Sequence, residues 1–175
     1  DHWDHTGGLW ELLKRRKGLK VYACPGFSRA FKDKVNQVQG VMIETEPYQE
    51  VDQNIAVTGQ IEGEYKGADM PEQALVVKTE HGITVITGCS HPGIVNMVKN
   101  VKDRFPRSKI YQVFGGFHLM DHDPRAVQQI VTAIKDMGVE KVGPTHCTGH
   151  KAEKVFEKDF GNNYITIEAG KVLDI

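Results

Sequence analysis

The sequence predicts an α/β layered domain, with helices packed on a sheet, and three observations carry that reading. Short apolar segments of strand character alternate with amphipathic segments of helical period along most of the chain. Several strand-like segments end in glycine-containing loops, the punctuation expected where one element hands over to the next. The chain has 175 residues, which suits one domain with enough apolar side chains for a sizeable core.

Taken in order, Thr6-Gly7-Gly8 leads into a short amphipathic helix over residues 9–15, stopped by Gly18. The run Lys14-Arg15-Arg16-Lys17 closes that helix. Cations there suit the helix dipole and the last carbonyls, so a solvated helix end is preferred over a phosphate-binding patch. A buried strand follows at 19–23, then a Pro25-Gly26 break, a helix around 27–35 and a strand over 40–45. Residues 47–71 are irregular and rich in Gly and acidic side chains, and are read as short strands or a flap. The clearest hairpin pairs 74–79 with 83–87 around Glu80-His81-Gly82. Its second strand runs into Gly88-Cys89-Ser90-His91-Pro92-Gly93. A helix over 94–105 then carries Ile94, Val95, Val98 and Val101 on one face. A strand at 109–114 ends in Gly115-Gly116-Phe117-His118, and a helix runs from Pro124 to Met137. A strand at 139–142 leads to Pro144-Thr145-His146-Cys147-Thr148-Gly149; a helix near 151–160 and a terminal strand over 164–168 finish the chain.

The totals narrow the function classes. Net charge is −1 and the pI is about 6.8, so neither a nucleic-acid nor an anionic-membrane partner is expected. Three cysteines, Cys24, Cys89 and Cys147, are too few and scattered for a disulfide framework and fit a reducing, cytoplasmic setting. No apolar run approaches the ~20 residues that span a bilayer. The chain opens inside a motif without a Met, so it is expected to be N-terminally incomplete, with any targeting segment outside it.

His91, His118 and His146 share one local context, a glycine-containing loop directly after an apolar strand. Strand C-termini are where α/β folds gather ligand and catalytic groups. One such histidine is ordinarily a structural hydrogen-bonder; three together favour a site. A fourth cluster, His2-x-Asp4-His5, opens the chain, and in an open turn it can aim two imidazoles and a carboxylate at one point. Those donors suit Zn²⁺ or a related divalent ion, and an exposed polar terminus is the plainer reading. His81 in the hairpin turn, His122 before Pro124 and His150 at a helix start are read as surface residues, and Asp121 and Asp123 as helix caps.

Asp1-His2-Trp3-Asp4-His5-Thr6-Gly7-Gly8 resembles the latter part of the His-x-His-x-Asp-His-x-Gly-Gly signature of the metallo-β-lactamase superfamily. Thr87-Gly88-Cys89-Ser90-His91-Pro92-Gly93, Gly115-Gly116-Phe117-His118-Leu119 and His146-Cys147-Thr148-Gly149 occur in order. They resemble a branch of metal-dependent hydrolases similar to 7,8-dihydropterin-6-methyl-4-(β-D-ribofuranosyl)aminobenzene-5′-phosphate synthase. The resemblance implies an αββα sandwich of two similar halves, of which this chain holds the tail of the first and all of the second. It implies His2, Asp4, His5 and His146 as metal ligands, with one further motif histidine upstream of Asp1. Many superfamily members place a bridging aspartate after the hairpin strand. This chain has Gly-Cys-Ser-His there, so His91 is taken as the ligand, and a typical carboxylate-bridged metal pair is not expected. Cys89 and Cys147 are each either a softer ligand or a buried small residue.

The resemblance further implies one or two divalent metal ions, Zn first, with Mn, Fe or Ni as alternatives. The function implied is hydrolysis of an ester or phosphoester in a small-molecule substrate, with phosphorylated compounds among the candidates. Asp4 binds metal and orients the attacking water; His118 binds substrate oxygen or donates a proton to the leaving group, or else fixes another ligand's tautomer. The alternatives are a nuclease of the same superfamily and a catalytically silent metal-binding or sensory domain. An exposed sheet edge leaves room for an oligomer.

Overall fold

The computed structural model describes residues 1–173 and 175. A helical turn α1 (Trp3–Thr6) and helix α2 (Leu9–Arg15) precede strand β1 (Lys20–Ala23), helix α3 (Arg29–Gln37) and strand β2 (Val41–Glu44). Four short strands follow, β3 (Gln49–Asp52), β4 (Ile55–Val57), β5 (Glu64–Tyr65) and β6 (Ala68–Asp69). The predicted hairpin is β7 (Leu75–Thr79) and β8 (Gly82–Thr87). Helix α4 (Ile94–Arg104), strand β9 (Ile110–Gly116), helix α5 (Pro124–Asp136), strand β10 (Lys141–Thr145) and helix α6 (His150–Phe160) complete the regular structure.

The main sheet has six strands in the order β10-β9-β8-β7-β4-β3. Its β8-β9-β10 side is parallel, with α4 and α5 making the crossovers, and its β8-β7-β4-β3 side is antiparallel. Alternating side chains from β7, β8 and β9, among them Val76, Val85 and Val113, bury against Met97, Val98 and Val101 of α4, Val131 and Ile134 of α5 and Phe156 of α6. A separate, smaller core joins Leu13 of α2, Val21 and Ala23 of β1, and Phe31 and Val35 of α3 around the two-stranded parallel sheet β1-β2. The α/β layering is therefore as the sequence predicts. Ser28 caps α3, its hydroxyl accepting from Phe31 N at 3.2 Å, and Asp123 caps α5 with Pro124 at the first helical position.

Two expectations change. Residues 164–168 do not form a strand: Tyr164 makes one isolated bridge to Val142, and Ile165 N donates to Val142 O at 2.7 Å. The next donor this ladder would use lies at position 144, which is a proline without an N–H, so the pairing stops. The His2-to-His5 segment is a helical turn instead of an open one, with His5 N and Thr6 N donating to His2 O at 3.1 and 3.0 Å.

The parallel strands set the site. Thr87 pairs with Gly115 and Thr145 with Gly116, so β8, β9 and β10 end side by side and deliver their loops to one edge of the sheet.

Candidate metal centre

Three residues just beyond those strand ends, Ser90, His118 and His146, hold φ of 66°, 51° and 55°. Left-handed backbone is costly for non-glycine residues, about 1–3 kcal/mol each, and collects where a fold aims a side chain. Gly116 permits the approach of the loops: a Cβ there would stand 2.8 Å from Cys147 Sγ and 3.2 Å from Cys89 Cα.

At the centre is the buried thiol of Cys89. His5 Nε2 lies 3.0 Å from Cys89 Sγ and 3.7 Å from Asp4 Oδ2, and His146 Nε2 lies 3.3 Å from Asp4 Oδ2. One donor atom from each of Asp4, His5, Cys89 and His146 falls within 4.8 Å of the other three. Tetrahedral coordination with bonds of ~2.0–2.3 Å requires donor separations of about 3.3–3.6 Å, so the observed spacing fits a small divalent ion with minor adjustment. A second group, Cys89, His91 and His118, meets the same 4.8 Å limit. Among the described residues, His118 Nδ1 is buried without a hydrogen-bond partner.

Glu72, just before β7, holds the loop that carries Cys89 and His91. Its Oε2 accepts from Cys89 N at 3.3 Å and Ser90 N at 2.9 Å; its Oε1 accepts from His91 N at 3.0 Å and contacts His91 Nδ1. Burial pushes the His91 pKa down against the pull of Glu72, so the ring stays neutral, donates a hydrogen bond from Nδ1–H to the Glu72 carboxylate and keeps Nε2 as its lone-pair donor. Burial lowers His5 likewise, outweighing the attraction of Asp4. Asp4 moves down: burial opposes ionisation, but a backbone N–H and the His5 and His146 rings outweigh it. Cys147 donates to Cys89 O at 3.5 Å, and interaction with Cys89 and His118 pulls its own thiol down to about 6.

Asp4, His5 and His146 stand together in one donor group, and His91 stands with His118 in the other. His2 falls in neither closed donor group; its ring sits edge-on to His91, centroids 5.1 Å apart. An open cleft of about 300 Å³ runs over these side chains. Tyr65, on β5, leans over it, its ring 4.9 Å from His91 and 5.0 Å from His118. Sequence reasoning missed Glu72, Tyr65 and the central place of Cys89. Lys66-Gly67 was the available signal for the β5-β6 hairpin, since two left-handed residues, φ 53° and 78°, make its turn. Glu72 had no local signal, because its partners lie 17 to 19 residues away.

No family model matches the chain. It is 30% identical to a Methanocaldococcus jannaschii protein named 7,8-dihydropterin-6-methyl-4-(β-D-ribofuranosyl)-aminobenzene-5′-phosphate synthase, over 99% of this chain and 72% of that protein. A crystal structure described as a metal-dependent hydrolase of the β-lactamase superfamily matches with a TM-score of 0.77 and 28% identity, over 93% of this chain and 73% of that one. Zn²⁺-bound PqqB from Methylobacterium extorquens shares the fold alone, with a TM-score of 0.61 at 14% identity over 98% of this chain and 70% of that one.

Proposed function

The chain belongs to the metallo-β-lactamase superfamily, in the branch of the dihydropterin-phosphate synthase relative, and on that premise we propose that it is a metal-dependent hydrolase of esters or phosphoesters. The observation that carries the proposal is the convergence of Asp4, His5, Cys89 and His146 at spacings a tetrahedral divalent ion accepts. Zinc is the preferred ion, since imidazole, carboxylate and thiolate are together a donor set that zinc takes. When bound, such an ion supplies Lewis acidity, making water ionisable near neutral pH and drawing charge from an ester or phosphoester oxygen.

The chain's own groups do the rest. Asp4 Oδ2 faces His5 and His146, leaving Oδ1 to accept a hydrogen bond from the attacking water and fix its direction. Tyr65 covers one side of the cleft and limits how a substrate enters. His118 has two uses consistent with its place, proton donation to the leaving oxygen or ligation.

The test is hydrolysis of bis(p-nitrophenyl) phosphate. His146→Ala is expected to abolish metal-dependent turnover; full turnover in that variant rejects the assignment, and metal retention by the wild type without turnover marks a silent binder. His118→Ala that keeps its metal and loses turnover makes His118 a proton donor, whereas loss of metal makes it a ligand.

A further inference from the structure

We propose that a separate apolar cavity beside the metal cleft receives an aromatic leaving group, which makes aryl esters or aryl phosphoesters the preferred substrates. The inference rests on the hydrolase reading above and names the substrate class for it. The cavity has a volume of about 200 Å³ and lies where the start of α4, the loop after β9 and the middle of α5 meet. Its apolar walls are Ile94 and Val95 of α4, Phe117 and Leu119 of the loop, and Ile130 of α5. Ile94, Phe117 and Leu119 are buried in the main core, and Val95 and Ile130 pack against it, so the walls are fixed by close packing.

Size and lining select the occupant. An apolar cavity of about 150 Å³ is enough to hold a benzene molecule, so this one has room for a six-membered ring with a small substituent. Rings also line it: Phe117, His91, His118 and the exposed His122 offer faces and edges against which a flat aromatic group packs. Polar groups there are committed elsewhere. Ser90 Oγ donates to Gly116 O at 2.6 Å and His91 Nδ1 is engaged by Glu72, so a sugar or other polyhydroxyl group would lose its water without regaining those hydrogen bonds. Gly93, held at φ 87° before α4, borders open space: a Cβ there would meet no atom within 4 Å.

Position ties the cavity to the chemistry. His91 and His118 line both it and the metal cleft, so the two spaces share a wall. A ring seated in the cavity leaves its ester oxygen at that wall, beside the donor groups of the metal centre. Hydrolysis breaks the bond from that oxygen to the acyl carbon or phosphorus. Water gives its hydroxyl to the carbon or phosphorus and a proton to the oxygen, and a phenol is released. Binding the ring holds the scissile bond in one orientation towards the attacking water, which is where a remote pocket contributes to rate.

Binding of 4-fluorophenol to the zinc-free wild-type chain, followed by fluorine and proton NMR, tests this. The expected result is saturable broadening of the fluorine line, with nuclear Overhauser effects from the ring protons to the methyl groups of Ile94 and Ile130. Val95→Phe, which puts a phenyl ring of the chain's own into the cavity, is expected to weaken that binding about tenfold or more. The same variant is expected to keep its zinc and to lower kcat/KM for bis(p-nitrophenyl) phosphate about 10–100-fold. No saturable binding, Overhauser effects to other methyl groups alone, or displacement by cyclohexanol as effective as by phenol overturns the aryl pocket and leaves the metal-centre reading intact. Ring binding without any zinc-dependent cleavage overturns the hydrolase reading while the ring site stands. The wild-type Overhauser effects decide the question even if Val95→Phe does not fold.

Discussion

Glu72 accepts from three consecutive amides and from an imidazole, and a glutamine in its place would bring an NH₂ group to a cradle made only of donors. Glu72→Gln is expected to weaken metal affinity about 10–100-fold through the orientation of His91 and Cys89, read by competition with a chromophoric chelator. Unchanged affinity would remove Glu72 from the site's support. Cys24 is the contrasting cysteine. It is fully buried, and burial pushes its thiol up to about 12, so at pH 8 it carries almost no thiolate. Iodoacetamide on the native chain is expected to spare Cys24, with mass mapping as the readout. His91, His118 and His146 were legible as candidates because each follows a strand and lies in a recognisable motif. Glu72 was not, since a carboxylate earns its role here only from amides that the fold brings to it.

Elements explain why three loops arrive together. Strands β8, β9 and β10 run parallel and end in register, and Gly116 is where their loops touch. Gly116→Ala forces a methyl group against Gly88 O, Cys147 Sγ and Cys89 Cα, mostly rigid surroundings. It is expected to destabilise the chain by about 1–3 kcal/mol and to reduce metal binding as well, measured by urea denaturation and metal content. The core behind the site is ordinary packing: Phe156 is fully buried against Phe117, and Phe156→Ala is expected to cost about 3–5 kcal/mol in the same denaturation experiment. The 74–87 hairpin was legible because alternation, turn and β-branched content agree. The 164–168 segment has the same β-branched alternation, yet its neighbour offers Pro144, and propensity alone cannot see the strand it must pair with.

The whole molecule has a large core under the six-stranded sheet and a small one around β1-β2. The motif residues His2, Asp4 and His5 sit in the turn that precedes α2 and the small core, while Cys89, His91, His118 and His146 hang from the large one. The candidate metal centre therefore lies between the two, and a metal bound there is expected to act as a clasp. Hydrogen exchange is expected to be faster in β1 and β2 than in β8 and β9, and to slow in β1 and β2 when zinc is added. Equal protection in both regions would contradict the clasp. Layering and the candidate donor residues could be read from period and motif, but this division could not, because it depends on which apolar faces meet.

The central claim is that hydrolysis depends on metal held by these side chains, and the most direct measurement returns zinc stepwise to the chelator-stripped chain while following bis(p-nitrophenyl) phosphate cleavage. Turnover is predicted to rise in proportion to bound zinc and to be lost in His146→Ala. Cleavage indifferent to zinc, or full zinc occupancy with no cleavage, would contradict the account.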